Sequence, residues 1–151
     1  MNEKQISLLA AFAAAKVEFA VVGGLAVIMH GYVRATHDID IFIRPTIQNA
    51  HAAFEALRAV GAPLEGFEPN DLLSDEDNLR FGPEEDHLDI LASIGEMTFD
   101  QVWRNRVETD IDGVVVPFIS RDDLIANKLQ VGRLRDLADA EELTLLAKQN
   151  A

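Results

Sequence analysis

Two aspartates one residue apart, Asp38 and Asp40, stand in the run Asp38-Ile39-Asp40-Ile41-Phe42-Ile43. Alternation of this kind, rich in β-branched residues, predicts a strand, on which positions i and i+2 share a face. Both carboxylates then point together while Ile39 and Ile41 point into the core. Paired carboxylates repel, and a hard divalent cation with oxygen ligands relieves that repulsion. The alternative is a pair on an exposed edge strand facing water. His87-Leu88-Asp89-Ile90-Leu91 is a second alternating run, with Asp89 opposite Leu88 and Ile90. If that strand lies beside the first, three carboxylates converge. Such a donor set can hold two Mg²⁺ ions about 3.5–4 Å apart for in-line phosphoryl or nucleotidyl transfer.

Upstream, Val21-Val22-Gly23-Gly24-Leu25-Ala26 ends a strand in two glycines before a helix. Without side chains there, backbone amides can approach a phosphate closely, although a Gly-Gly turn can also be purely structural. Arg34 and Thr36 precede the aspartate pair. Arg34 can meet a phosphate or pair with a neighbouring carboxylate, whereas His37 faces away from Asp38. His87 shares a face with Asp89, as a supporting group or as a packing residue. Trp103 falls in a helical pattern with Phe99 and reads as core. The four histidines are scattered without zinc spacing, and neither a G-x-S-x-G elbow nor a P-loop occurs.

The elements that must position these groups follow from periodicity and breakers. Residues 3–16 predict a helix, Glu18–Val22 a strand, and Leu25–His30 a short helix ending at Gly31. Thr46 caps a helix carrying Ile47, Ala50, Phe54, Leu57 and Val60 to Gly61. Residues 61–77 read as loop. Strands are expected over Asn78–Phe81 and His87–Leu91, joined by a turn through Gly82–Asp86. A helix over Thr98–Arg106 leads to a hairpin of Val107–Ile111 and Val114–Ile119 across Asp112-Gly113. Ser120 caps a helix to Gln130, and a last helix spans about Arg133–Lys148. The expected fold class is α/β (α+β): a mixed, mostly antiparallel sheet flanked by helices, with a C-terminal helical tail. One domain over 1–151 is expected, with its core in about 17–120 and the tail in about 120–150.

The 151 residues are 48% hydrophobic, enough for a sizeable core. With 26 acidic against 13 basic residues the net charge is −13, which argues against bulk DNA or RNA binding and favours cations and cationic molecules. Residues 65–89 hold ten carboxylates and one base, Arg80, a run that most simply reads as a solvated acidic loop. Arg121–Arg135 holds four of the basic residues, Arg121, Lys128, Arg133 and Arg135, the best candidates for a local anion site. The absence of cysteine excludes disulfides, cysteine–zinc sites and thiol catalysis. The first residues do not make a convincing signal peptide, no apolar run is long enough to span a membrane, and a cytoplasmic setting is expected.

Taken together these residues resemble the nucleotidyltransferase superfamily of the DNA polymerase β type. Its signature is a Gly-Gly or Gly-Ser turn, then Asp-x-Asp and a later single carboxylate. More narrowly the chain resembles a small bacterial group that includes the toxin component of abortive-infection toxin–antitoxin systems. Residues 21–40, His87–Leu91, Asp123–Lys128 and Gly132–Asp139 carry that resemblance, in order, over roughly 17–145. It implies the nucleotidyltransferase fold, with Asp38, Asp40 and Asp89 as catalytic metal ligands and Asp89 helping to deprotonate the acceptor. Gly23 and Gly24 are implied to cradle nucleotide phosphates, with Lys128 as a further nucleotide contact and Asp136 in support; from its own position Arg34 joins them as a candidate nucleotide contact, with Thr36 in support. The implied cofactor is Mg²⁺, with Mn²⁺ as a substitute, and the implied substrates are an NTP and a hydroxyl acceptor on an RNA end, a protein side chain or a small molecule. Many active members carry a serine after the glycines, where this chain has Gly24 and Leu25. That departure keeps a second reading open, a non-catalytic module that binds a protein partner such as an antitoxin or a second copy of itself.

Overall fold

The apolar stretch Phe19-Ala20-Val21-Val22 is buried at every position and forms β1 (Phe19–Val22). It lies inside a six-stranded sheet of order β3-β4-β2-β1-β6-β5. The computed structural model describes residues 1–74, 79–82 and 86–149. The other strands are β2 (Ile39–Ile43), β3 (Leu79–Phe81), β4 (Leu88–Leu91), β5 (Val107–Ile111) and β6 (Val114–Phe118). Pairing is antiparallel for β1–β2, β3–β4 and β5–β6 and parallel for β1–β6 and β2–β4. The sheet is thus mixed and mostly antiparallel, as expected.

Among the described residues six α-helices flank it: α1 (Glu3–Ala14), α2 (Gly23–Met29), α3 (Ile47–Ala59), α4 (Phe99–Asn105), α5 (Arg121–Val131) and α6 (Leu134–Gln149). Polar caps set the starts of α1, α3, α4 and α5. Thr46 accepts from the Asn49 amide at 3.2 Å, and Ser120 accepts from that of Asp123 at 3.2 Å, each satisfying a first-turn donor that the helix itself cannot. Gly132, left-handed at φ 74°, stops α5 and lets α6 fold back on it. Asp112 (φ 52°) and Gly113 (φ 85°) make the two-residue turn that sets the Ile111–Val114 register of the final hairpin.

A continuous apolar cluster joins the layers. Phe12 of α1 meets Phe19 edge-on at 5.3 Å, and Phe42 of β2 meets Phe99 of α4 at 5.2 Å. Leu8, Leu9 and Phe12 of α1, Leu124 of α5 and Leu143 of α6 belong to the same cluster. The core therefore extends beyond residues 17–120 at both ends.

Three boundaries differ from expectation. Lys16 takes φ 56°, so α1 stops at Ala14. The helix after β1 starts at Gly23, without a side-chain cap. Within 61–77 a 3₁₀ turn, Pro69–Leu73, sinks Leu72 into the core beside α3. Ile47 and Val60, counted on the apolar face of α3, are exposed at its two ends. Asn78 and Pro83–Glu85, assigned above to a strand and a turn, lie outside the described residues. No described helix is long and apolar enough to cross a membrane.

Candidate active site

Parallel pairing of β2 with β4 puts Asp40 directly beside Asp89 in register. Alternation then separates the faces: Ile39, Ile41 and Ile90 are buried in the core, and the carboxylates line a cleft of about 370 Å³ on the other side. Asp38, one residue before β2, joins them there. Its Oδ1 accepts from the His87 backbone amide at 3.3 Å, and its Oδ2 lies 3.2 Å from His87 Nε2. The same Nε2 lies 3.3 Å from Asp89 Oδ2. The buried His87 ring thus stands between two of the three acids.

Asp89 is engaged from the other side as well. Arg80, its register partner on β3, donates from Nε to Oδ1 at 2.9 Å and from Nη2 to Oδ2 at 3.3 Å. Among the described residues no cation pairs with Asp40 in this way. Burial, a hydrogen bond with Asp89 and the charges of Asp89 and Asp38 push its carboxyl up to about 6, with His87 acting weakly in the opposite sense.

Gly23 is fixed by this packing. Its φ is +67°, and a Cβ there would sit 2.1 Å from Asp40 Oδ2. Only glycine permits both the left-handed backbone and the approach of the carboxylate. At Gly24 a Cβ would meet Arg34 Nη2 at 3.0 Å and Thr36 Oγ1 at 3.1 Å. Arg34 and Thr36 therefore brace the back of the glycine turn and do not line the cleft of the acids. Arg34 Nη2 donates to Asp139 Oδ2 at 3.2 Å, so of its two expected roles the structure displays the carboxylate pair.

The facing wall comes from α5 and the start of α6. Asn127 donates to the Ile94 carbonyl at 2.6 Å, and the Glu96 amide donates to Gln130 Oε1 at 3.2 Å, pinning α5 to the chain that leaves β4. Lys128 is buried, its Nζ 3.2 Å from Asp136 Oδ1 and 3.1 Å from Asp139 Oδ2. Arg133 closes on Asp136 through Nε at 2.6 Å. Burial pulls the Asp136 carboxyl upward, but hydrogen bonds from Arg133 and Lys128 and their charges outweigh it and leave Asp136 below the ordinary range. Arg133 and Arg135 are exposed and line the cleft. Lys128 also reaches its wall, but with its charge already shared between two aspartates.

Carboxylate oxygens are the donor type that hard divalent cations prefer, and the raised Asp40 carboxyl reflects first its burial and then the acids beside it. In donor chemistry Asp38, Asp40 and Asp89 fit Mg²⁺ or Mn²⁺. Among the described residues, however, no three acidic or imidazole side chains are already arranged as a ligand set. Asp89 is closed onto Arg80 and His87 instead. Sequence reasoning named the three acids but not the role of Arg80, the bridging position of His87 or the participation of Asp139. Arg80 was within reach, since its place opposite Asp89 follows from pairing β3 and β4 across the turn after Gly82.

A mixed sheet in which a glycine turn meets an Asp-x-Asp strand, beside a third acid on a parallel neighbour, defines a nucleotidyltransferase-type fold. A family model described as "Nucleotidyltransferase of unknown function (DUF6036)" matches residues 3–150, and the chain belongs to that family. Among solved structures it is similar to the lincomycin-bound lincosamide antibiotic adenylyltransferase LnuA, at 19% identity and TM-score 0.63 over 97% of this chain and 98% of that one. A putative nucleotidyltransferase from Thermotoga maritima is similar at 16% identity and TM-score 0.62, covering 96% and 91% of the two chains. The antibiotic-resistance factor ANT(2'')-Ia gives 15% identity and TM-score 0.58 over 98% and 83%. At these identities the likeness is one of fold. No curated protein sequence matches the chain.

Proposed function

We propose that this chain is a metal-dependent nucleotidyltransferase that moves an NMP from an NTP to a hydroxyl on a small molecule. The observation that carries this reading is the register pairing of Asp40 with Asp89, beside Asp38, on one wall of a cleft whose facing wall bears Arg133 and Arg135. Asp38, Asp40 and Asp89 would hold Mg²⁺, or Mn²⁺ in its place, which lowers the pKa of the acceptor hydroxyl and offsets charge at the transferred phosphorus. Asp89 helps take the acceptor proton. The acceptor oxygen forms a bond to the α-phosphorus as the bond to the bridging oxygen breaks, and pyrophosphate leaves with that electron pair. The Gly23-Gly24 turn lets backbone approach the phosphates, and Arg133 and Arg135 face their charge. Lys128 acts from behind, holding Asp136 and through it Arg133. Arg34 and Thr36 keep the glycine turn in shape.

The net charge of −13 favours a cationic acceptor over an RNA end, and the antibiotic-modifying fold neighbours favour a small molecule over a protein. NTP supply accords with a cytoplasmic setting. Transfer of label from α-³²P-NTP, with Mg²⁺, to a panel of amino-alcohol and polyol acceptors tests the proposal, with Asp89→Asn as control. Acceptor-dependent label and pyrophosphate release, lost in the variant, support it. Label on RNA ends or protein instead would favour a toxin-type enzyme.

One observation favours a non-catalytic module as the second reading. Leu134 is 88% exposed, and Leu129, Val131 and Leu137 on the same two helices are also exposed, an apolar surface suited to a protein partner such as an antitoxin or a second copy. Co-purification of a partner, with no nucleotide binding, would favour it.

A further inference from the structure

Arg80 stands on β3, at one edge of the sheet, with its side chain 62% exposed. From there it reaches inward to both oxygens of Asp89, which is buried and in register with Asp40. Both oxygens of a prospective ligand are thereby occupied by a cation that belongs to the chain. A guanidinium at a sheet edge can rotate into solvent without disturbing the core. A metal ion approaching Asp89 meets a fixed positive charge already bonded to both of its oxygens.

We propose that Arg80 is the built-in counter-ion of the acidic trio and competes with the divalent cation for Asp89, so that it must let go of Asp89 as the ion binds. In this role Arg80 is a positioning residue. It keeps three mutually repelling carboxylates together in the metal-free protein and sets the metal concentration at which the site loads. The inference rests on the reading of Asp38, Asp40 and Asp89 as metal ligands.

Mn²⁺ binding to the full chain without nucleotide, followed by the loss of the free-ion EPR signal, tests it without any activity measurement. Arg80→Gln removes the charge at similar length, and its exposed position leaves the fold intact. Competition predicts that this variant binds Mn²⁺ about two- to fivefold more tightly than wild type, the modest scale of an exposed pair. It also predicts a lower Tm without metal and a larger rise on adding it. Arg80→Lys, which keeps the charge but loses the fork that spans both oxygens, falls between the two. Unchanged or weaker Mn²⁺ binding by Arg80→Gln, with binding still abolished by Asp40→Asn, overturns the competition while leaving the metal site standing. Absence of binding in wild type and all variants overturns the metal-site reading and this inference with it.

Discussion

Replacing Asp40 by Asn changes one charge and almost no volume, and the structure fixes what that should do. A carboxyl raised from 3.8 to about 6 binds its proton more tightly in the folded chain than in the unfolded one. At pH values below both, it is protonated in each state and contributes no penalty. Between about 4 and 6 the unfolded chain releases the proton first, so folding stability falls as pH rises, and above 6 the loss is complete. Roughly two pKa units correspond to about 3 kcal/mol, an upper figure where water and neighbouring groups relax. Asn is never ionised, and its amide can still donate to Asp89. Without metal, Asp40→Asn should therefore match wild type near pH 4 and exceed it by about 1–3 kcal/mol at pH 8, or on the order of 5 °C in Tm for a chain of this size. Saturating Mg²⁺ should close that gap by stabilising wild type alone. Thermal unfolding across pH 4–8 checks each arm. A variant less stable than wild type at pH 8, or a gap of equal size at both ends of the range, refutes the reasoning.

The glycine turn and the buried ion network give further expectations. Gly23→Ala should cost about 1–2 kcal/mol for the left-handed backbone alone, and more as Asp40 is pushed aside, with nucleotidyl transfer falling at least about tenfold. Gly24→Ala, whose Cβ would meet the movable ends of Arg34 and Thr36, should be milder in both urea unfolding and transfer assays. Lys128→Met leaves Asp136 and Asp139 without their shared cation and should cost about 3–5 kcal/mol in urea unfolding. A rise in NTP KM without loss of stability would instead make Lys128 a direct phosphate contact. Asp123→Ala should cost about 1–3 kcal/mol, because its buried carboxylate accepts from Gln101 at 2.9 Å and Asn105 at 3.1 Å and ties α4 to α5.

Local pattern made much of this legible. The alternation in Asp38–Ile43 and His87–Leu91 gave both strands and the faces of their acids, and the same parity anticipated that Asp40 and Asp89 would meet if the strands paired. Asp112-Gly113 announced the last hairpin, because both residues must take positive φ. What stayed hidden depends on contacts that no local pattern encodes. The resemblance makes Lys128 a nucleotide contact, and the fold-back of α6 after Gly132 brings it to Asp136 and also to Asp139, a partner that no local pattern names. Arg34 meets Asp139 across 105 residues of chain. The 3₁₀ turn at Pro69–Leu73 is not legible because Leu72 and Leu73 are too short an apolar run to show a period in a segment otherwise rich in acids and breakers.

The central claim is a metal-dependent nucleotide site on the three carboxylates. It is tested most directly by thermal unfolding of wild type and Asp40→Asn with each of the four NTPs, with and without Mg²⁺. Ligand at about a hundred times its Kd adds about 2.7 kcal/mol, which is several degrees in Tm here. Wild type should show a rise with at least one NTP that requires Mg²⁺ and vanishes in Asp40→Asn. No rise with any nucleotide, or an equal rise in the variant, would contradict it.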